Sequence, residues 1–141
     1  MDDKGNKLAV LVCILGLLAM YLLQRTDYFG LLMKIVNASD PNPNMDFAFN
    51  RAFRLVVNDL LCMGIIYFQF REKQFLKIGF WVFMLELLLI LPIYLFIKLK
   101  WEGPTEISSP LLSPIHRMVV NPLLMIVLIA GLLFQKKWGA Q

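Results

Sequence analysis

The chain has 141 residues, of which 59% are hydrophobic and 17% are charged, and its formal net charge is +4. The apolar fraction and the mean hydropathy of +0.66 exclude a soluble globular domain, for which about 45–50% apolar residues are typical. The length excludes two domains beside a membrane region. The basic residues flank apolar segments and form no run, which favours contacts with lipid head groups over nucleic-acid binding.

Four apolar segments follow one another and have the length of membrane-spanning helices, for which about 20 residues suffice. They cover about 8–25, 47–70, 75–97 and 115–134. The first contains the uncharged run Leu8–Leu23, and because no small-residue cleavage site follows it, we expect a retained helix and not a signal peptide. Residues 27–37 are mildly amphipathic, which predicts either a helix along the membrane interface or an extension of the first helix.

These segments predict an all-α integral membrane protein, a four-helix bundle that forms a single domain over residues 1–141. Basic residues are denser near the two termini and the 71–74 turn than in the two longer loops. The positive-inside bias therefore places both termini in the cytoplasm. Cys13 and Cys62 lie inside apolar segments without metal-ligand or redox spacing, which predicts two small buried side chains.

A short phrase occurs twice, as RLVVNDLL at 54–61 and as RMVVNPLL at 117–124. In each copy an Arg precedes an Asn by four residues, so the two side chains share one face of a helix. The offset of 63 residues suggests two helical hairpins in parallel repeat. Chance matching of Leu and Val is the alternative. A repeat would bring four side chains together inside the bundle: Arg54, Asn58, Arg117 and Asn121.

Polar residues inside the apolar segments are the candidate functional residues. A carboxylate at the centre of a membrane helix costs roughly 2.5–3.5 kcal/mol, so Asp59 and Glu86 must lie near an interface, be paired, or be protonated. Glu86 is an intramembrane acid without a cation in its own segment, so its partner must come from another helix. The candidates for contact with a partner or an anion are Arg51, Arg54, Asn58, Asp59, His116, Arg117 and Asn121.

Structural roles compete with functional ones at each of these positions. Arginine near a helix end often extends to the head groups, and asparagine often joins helices by a hydrogen bond. The sequence contains no catalytic motif, phosphate-binding loop or metal-ligand cluster, which predicts a protein that is not an enzyme, without catalytic residues, cofactor or metal. Three classes stay open: an accessory subunit, a small proton-coupled carrier that uses Asp59 and Glu86, and a lipid-head-group-binding protein that uses the arginines.

Several stretches resemble the exosortase F system-associated membrane proteins of bacteria. They are FRLVVNDLL at 53–61, HRMVVNPLL at 116–124, Tyr67-Phe68 before Arg71-Glu72-Lys73, and the ending FQKK at 134–137. The resemblance implies a multi-pass protein of the inner membrane that accompanies an exosortase, a membrane-embedded enzyme of protein sorting and surface export. The family has Arg-Arg or similar before the last span, whereas this chain has His116-Arg117.

The expected function follows from the family resemblance and from the polar residues together. The chain would be a non-enzymatic accessory protein that docks on an exosortase-type enzyme through the Arg/Asn face of the second and fourth spans. Its expected partners are membrane lipid and that membrane protein, and nucleic acid is not expected.

Overall fold

The computed structural model describes residues 3–36, 42–104, 110 and 112–138, and 89% of the described chain is helical, without strands. The all-α prediction is confirmed for this part of the chain. The helices are α1 (Asp3–Leu22), α2 (Tyr28–Val36), α3 (Pro43–Phe70), α4 (Lys73–Leu85), a π-helical segment (Glu86–Ile90), α5 (Leu91–Trp101), α6 (Leu112–Val120) and α7 (Leu123–Trp138).

Three described helices are long and apolar enough to cross a membrane. They are Lys4–Leu22, Pro43–Phe70 and the continuous helix Lys73–Trp101, which contains α4, the π-helical segment and α5. A fourth span is present if the bent pair α6 and α7 crosses as one unit. The four-helix bundle, the parallel repeat and the cytoplasmic termini stay predictions.

Local sequence explains where α3 begins and ends. The side-chain oxygen of Asn42 accepts a hydrogen bond of 3.0 Å from the Asn44 N–H, and Pro43 occupies the first helical turn, where its missing N–H costs nothing. At the other end Arg71 adopts the left-handed conformation with φ 57° and donates its N–H to the Tyr67 carbonyl. This sharp turn lets α4 return along α3.

Helix α3 is the centre of the fold, because every other helix in the described residues packs against it. Two glycines allow α1 to lie close to α3. A Cβ atom at Gly16 would meet Leu61 at 3.1 Å, and one at Gly64 would meet the Cys13 sulfur at 2.9 Å. A larger residue at either position would require the Leu61 or Cys13 side chain to shift or the two helices to separate, and small residues are typical of such close membrane helix interfaces.

Two apolar clusters form the core, and the buried carboxyl group of Asp59 lies between them along α3. One cluster contains Cys62 and Met125, and the other contains Leu55 and Tyr94. Along α3, Asp59 comes between Leu55 and Cys62. Cys62 is fully buried and Cys13 half-buried, and both are free thiols.

The segment 115–134, predicted as one span, is broken in the middle. Helix α6 ends at Val120, α7 begins at Leu123, and the two axes differ by 66°. Pro122 causes the break because it has no N–H to continue the helix and its ring crowds the preceding turn. A tight turn links the helices, in which the Leu123 N–H donates to the Asn121 carbonyl at 2.7 Å.

Residues 28–36 form a helix of their own and do not extend α1. The Asp27 carboxylate accepts a hydrogen bond from the Gly30 N–H, and Asn50 of α3 accepts from the N–H groups of Tyr28 and Phe29. These bonds satisfy donors that any helix N-terminus leaves open. Phe29 is buried and fixes α2 to α3. A position along the membrane interface stays a prediction, and residue 37 lies outside the described residues.

Candidate functional site

Basic side chains from three helices gather at one end of the molecule, beside the loop that follows α1. We define the cation cluster as Arg51 and Arg54 of α3, Tyr94 and Lys98 of α5, and His116 of α6. The Tyr94 hydroxyl lies 2.7 Å from Nδ1 of His116. The charges of Arg51, Arg54 and Lys98 all lie close enough to act on the His116 ring. The cluster therefore concentrates positive charge in a small volume.

Aromatic contact and one acid hold part of this charge. The Phe47 ring has the Arg51 guanidinium 4.9 Å and the Lys98 ammonium 5.9 Å from its centroid, which are cation–π distances. Lys98 is fully buried, and its Nζ lies 2.8 Å from an Oε2 oxygen of Glu102, one turn further along the chain. Lys98 thus forms an ion pair with Glu102. Within the described residues, Arg51 and Arg54 form no ion pair.

Arg54 is 2% exposed and joins α3 to the end of α1. Its Nη1 donates to the Gln24 carbonyl at 2.8 Å, so it satisfies an acceptor just beyond the helix end. The Nε atoms of Arg54 and Arg51 are buried and have no acceptor among the described residues. Because buried charges in proteins are normally paired and hydrogen-bonded, these donors are suited to an anion.

A cavity of about 280 Å³ opens between α1, α3 and the break between α6 and α7; we call it the lateral cavity. Its polar wall consists of Arg54, Asn58 and Asn121. Asn58 donates from Nδ2 to the Val120 carbonyl at 3.1 Å and so satisfies the last carbonyl of α6. Apolar side chains form much of the remaining wall: Leu17, Met20, Leu123 and Ile126.

A second, more polar cavity of about 600 Å³ lies at the same end and is lined by Arg51, Asn50, Asp27 and Asp46 among others; we call it the loop cavity. Asn50 organises this wall, since its Nδ2 donates to both aspartates at 2.8 Å. Hydrogen bonds from the Gly30 N–H and then from the Asn50 amide lower the pKa of Asp27 from 3.8. The loop cavity therefore carries both signs of charge.

The other polar region is the carboxyl pair, Asp59 of α3 and Glu86 at the start of the π-helical segment. The side chains are 1% and 2% exposed, and the two carboxyl groups lie close enough to interact electrostatically. No donor from the described residues bonds to either Asp59 oxygen or to Oε1 of Glu86. A bond between two carboxyl groups requires a proton or a bridging cation. The partner expected for Glu86 from another helix is therefore a second acid, Asp59.

The predicted site residues separate into two groups and one exception. Arg51, Arg54 and His116 meet in the cation cluster, where Asn58 and Asn121 adjoin Arg54 through the lateral cavity. Asp59 instead faces Glu86. Whether any of these residues contacts a ligand or partner stays a prediction.

Arg117 is the exception, and the expectation that it would converge with the other three residues is wrong. Its side chain is exposed and does not line the lateral cavity. Helix α6 buries Leu112, Val119 and Val120, and this apolar face turns Arg117 outward.

Sequence reasoning missed Tyr94, Lys98 and Asn50. Tyr94, Lys98 and Glu102 are spaced four residues apart, which places them on one helix face, and this spacing was the available signal. Asn50 stands one position before Arg51, and nothing in its sequence context indicates that it binds the N-terminus of α2. Within the described residues no group of three His, Cys, Asp or Glu side chains is arranged to hold a metal ion.

Comparisons with known proteins identify no relative of the chain. No family model, curated protein or solved structure matches the chain.

Proposed function

We propose that the chain is a non-enzymatic accessory membrane protein that docks on an acidic group of a larger membrane partner through the cation cluster. The observation that carries the proposal is the buried Nε donor of Arg51, which has no acceptor among the described residues. A carboxylate of a partner would accept from a guanidinium group in the two-pronged geometry that Arg favours. Docking would thereby neutralise charge that the described part of the fold leaves open.

The distribution of buried surface supports a partner within the bilayer. In the most apolar 18-residue stretch of α1, 6% of the residues are buried inside the molecule, compared with 44% in that of α3. Outside its contact with α3, helix α1 therefore offers an apolar surface to lipid or to helices of another protein. Packing and interhelical polar contacts drive association between membrane helices, so an apolar face beside the cation cluster suits a membrane-embedded partner.

For the identity of the partner we propose an exosortase-type sorting enzyme, and for the location the bacterial inner membrane. Both rest on the resemblance of the stretches at 53–61 and 116–124. The geometry contributes the chemistry of the contact: an acidic side chain or carboxyl terminus of the partner beside Arg51.

Affinity purification of the full chain from native membranes in mild detergent tests this function. We expect a stoichiometric membrane partner that mass spectrometry identifies as an exosortase-type enzyme. Arg51→Gln should lower the amount of recovered partner about tenfold, since a hydrogen bond to a charged group contributes about 1.5–3 kcal/mol.

Arg117→Gln is the matched control, because Arg117 has the same charge but lies exposed outside the cluster. It should leave recovery of the partner unchanged. A chain that purifies alone as a stable homo-oligomer, or equal losses in both variants, contradicts the proposal.

A second candidate function, proton-coupled transport, is favoured by the carboxyl pair. Two buried acids that share a site inside a membrane span resemble the proton-relay groups of pumps and transporters, and π-helical segments occur frequently at functional sites. In vesicles loaded with a pH-sensitive dye, the reconstituted chain should then take up protons. Glu86→Gln should abolish the uptake, whereas Glu72→Gln, at an exposed acid in the turn before α4, should not. Uptake no faster than in empty vesicles excludes this function.

A further inference from the structure

We infer that the lateral cavity binds one anionic lipid, with its phosphate beside Arg54 and its acyl chain leaving between α1 and α7. The inference does not depend on the proposed docking function, which rests on Arg51. It assigns a ligand class to the cavity that is lined by both Asn58 and Asn121.

The polar wall of the cavity fits a phosphate group. Arg54 is almost fully buried, and one of its guanidinium donors, Nη1, is already bonded to Gln24. Its Nε has no acceptor among the described residues. Guanidinium groups bind phosphate through several directed hydrogen bonds, and the amide of Asn121 lines the same wall. The wall of the cavity therefore contains a buried positive charge.

No acid opposes an anion at this wall. The residues that line the cavity include neither Asp nor Glu. Asp59 follows Asn58 directly in the sequence, but its carboxyl group faces Glu86 in another part of the bundle. The local charge of the cavity is thus positive, which excludes a cationic ligand and favours an anionic one.

The opposite wall fits an acyl chain and opens sideways. Leu17 and Met20 of α1 face Leu123 and Ile126 of α7 across the cavity. Leu123 and Ile126 are 41% and 48% exposed, so this side is open. Both helices pack on α3, but within the described residues they make no extensive contact with each other. The opening therefore faces the direction in which a bilayer would surround the spans.

The break at Pro122 explains why the space exists. Pro122 lines the cavity, and the 66° bend between α6 and α7 changes the direction of the chain at this level. The volume of about 280 Å³ lies just below the usual range of about 300–1,000 Å³ for ligand pockets. It accommodates the head-group end of a lipid while the acyl chain extends outside. A soluble anion would leave the apolar wall unused, which favours an amphiphile.

Native mass spectrometry of the full chain in nonionic detergent tests the inference. Phosphatidylglycerol and phosphatidylcholine are added separately at equal concentrations. We expect one phosphatidylglycerol per chain, bound about tenfold more tightly than phosphatidylcholine, because both lipids carry the phosphate but the choline cation of phosphatidylcholine is repelled by the positive wall. Equal binding of the two lipids contradicts the inference.

Two tryptophan variants locate the site without disturbing Arg54. Ile126→Trp places a bulky ring at the open side and should lower phosphatidylglycerol binding about tenfold. Val127→Trp is the matched control, because Val127 is adjacent, 67% exposed and not part of the lining. It should bind as the unaltered chain does. Equal losses in the two variants contradict the assigned site.

Arg54→Gln should remove the preference for phosphatidylglycerol, with circular dichroism to show that the helices persist after the Gln24 contact is lost. Inorganic phosphate at millimolar concentration should not displace the lipid. Displacement by phosphate alone would assign the site to a soluble anion and overturn the choice of a lipid.

Arg51→Gln separates the two proposals. It should release the protein partner and leave phosphatidylglycerol binding unchanged. Retention of the partner would contradict the docking proposal alone, and loss of phosphatidylglycerol binding would contradict the assigned lipid site alone.

Discussion

The cation cluster and the carboxyl pair lie on the same helix but are stabilised in different ways. Arg54 and Asp59 are five residues apart on α3, which corresponds to a rise of about 7.5 Å and a rotation of about 140° around the helix. Arg54 therefore faces α1, and Asp59 faces Glu86. Arg54 and Asp59 are close in sequence but have different neighbours in the structure.

The two regions also differ in the partners that the fold supplies. The cations have the Phe47 ring, the Gln24 carbonyl and the Glu102 carboxylate. The acids have only each other within the described residues. Since unpaired charge in a low-dielectric interior is costly, each region needs a different complement. An anion would complement the arginines of the cluster, and a proton or a cation would complement the pair.

The largest expected effect comes from removing one acid of the pair. Glu86→Ala leaves Asp59 without its neighbour and opens a hole in the core, so we expect a loss of about 2–4 kcal/mol in the free energy of unfolding. Glu86→Gln keeps the shape and gives Asp59 a donor, so its cost should stay below about 1 kcal/mol. Unfolding in mixed detergent micelles measures both, and equal costs would show that the two acids do not form a unit.

A smaller effect is expected from removing a fixed contact inside the cation cluster. Tyr94→Phe deletes the hydroxyl that lies 2.7 Å from His116 in a fully buried position. We expect a loss of about 1–2 kcal/mol, since a half-buried ring nitrogen loses its partner. Tyr67→Phe is the control at a tyrosine that is 56% exposed, and it should change stability by no more than about 0.5 kcal/mol. Thermal unfolding in detergent compares the stabilities of the two variants. Equal losses of stability would show that the contact between Tyr94 and His116 does not stabilise the cluster.

The smallest expected effect on stability concerns Asp27. Its carboxylate accepts hydrogen bonds, whereas the Asp59 oxygens accept none from the described residues. The pKa of Asp27 is lowered, first by the Gly30 N–H and then by Asn50. Its stabilising effect on α2 is therefore present above the unfolded value of 3.8 and is lost as the pH falls through the lower folded value. The effect is small because Asp27 is exposed and solvent screens its charge.

Carboxyl-carbon NMR measures the titration of Asp27 directly. A midpoint below 3.8, accompanied by loss of protection of the Gly30 amide, is the expected result. Asp27→Asn should remove this pH dependence. A midpoint at or above the ordinary value would mean that the hydrogen bonds to the carboxylate do not form in solution.

Part of the candidate site was predictable from hydropathy alone. Arg54, Asn58, Asp59 and Glu86 are polar residues in apolar segments, and the structure buries all four. Burial follows because lipid does not solvate such groups, so they must face protein. The opposite error at Arg117 has the same origin: a polar residue near the end of a span can reach the head groups and need not turn inward.

The amino-acid sequence is sufficient for the helical class and the apolar segments, because hydropathy and backbone hydrogen bonding are local requirements that each segment meets alone. The pairing of Asp59 with Glu86, the contact of Arg54 with Gln24 and the cavity beside Pro122 depend on how the helices rotate and bend against α3. That rotation is set by packing between residues far apart in the chain, such as Gly64 against Cys13. No local pattern records it, so only the tertiary structure decides which charges meet.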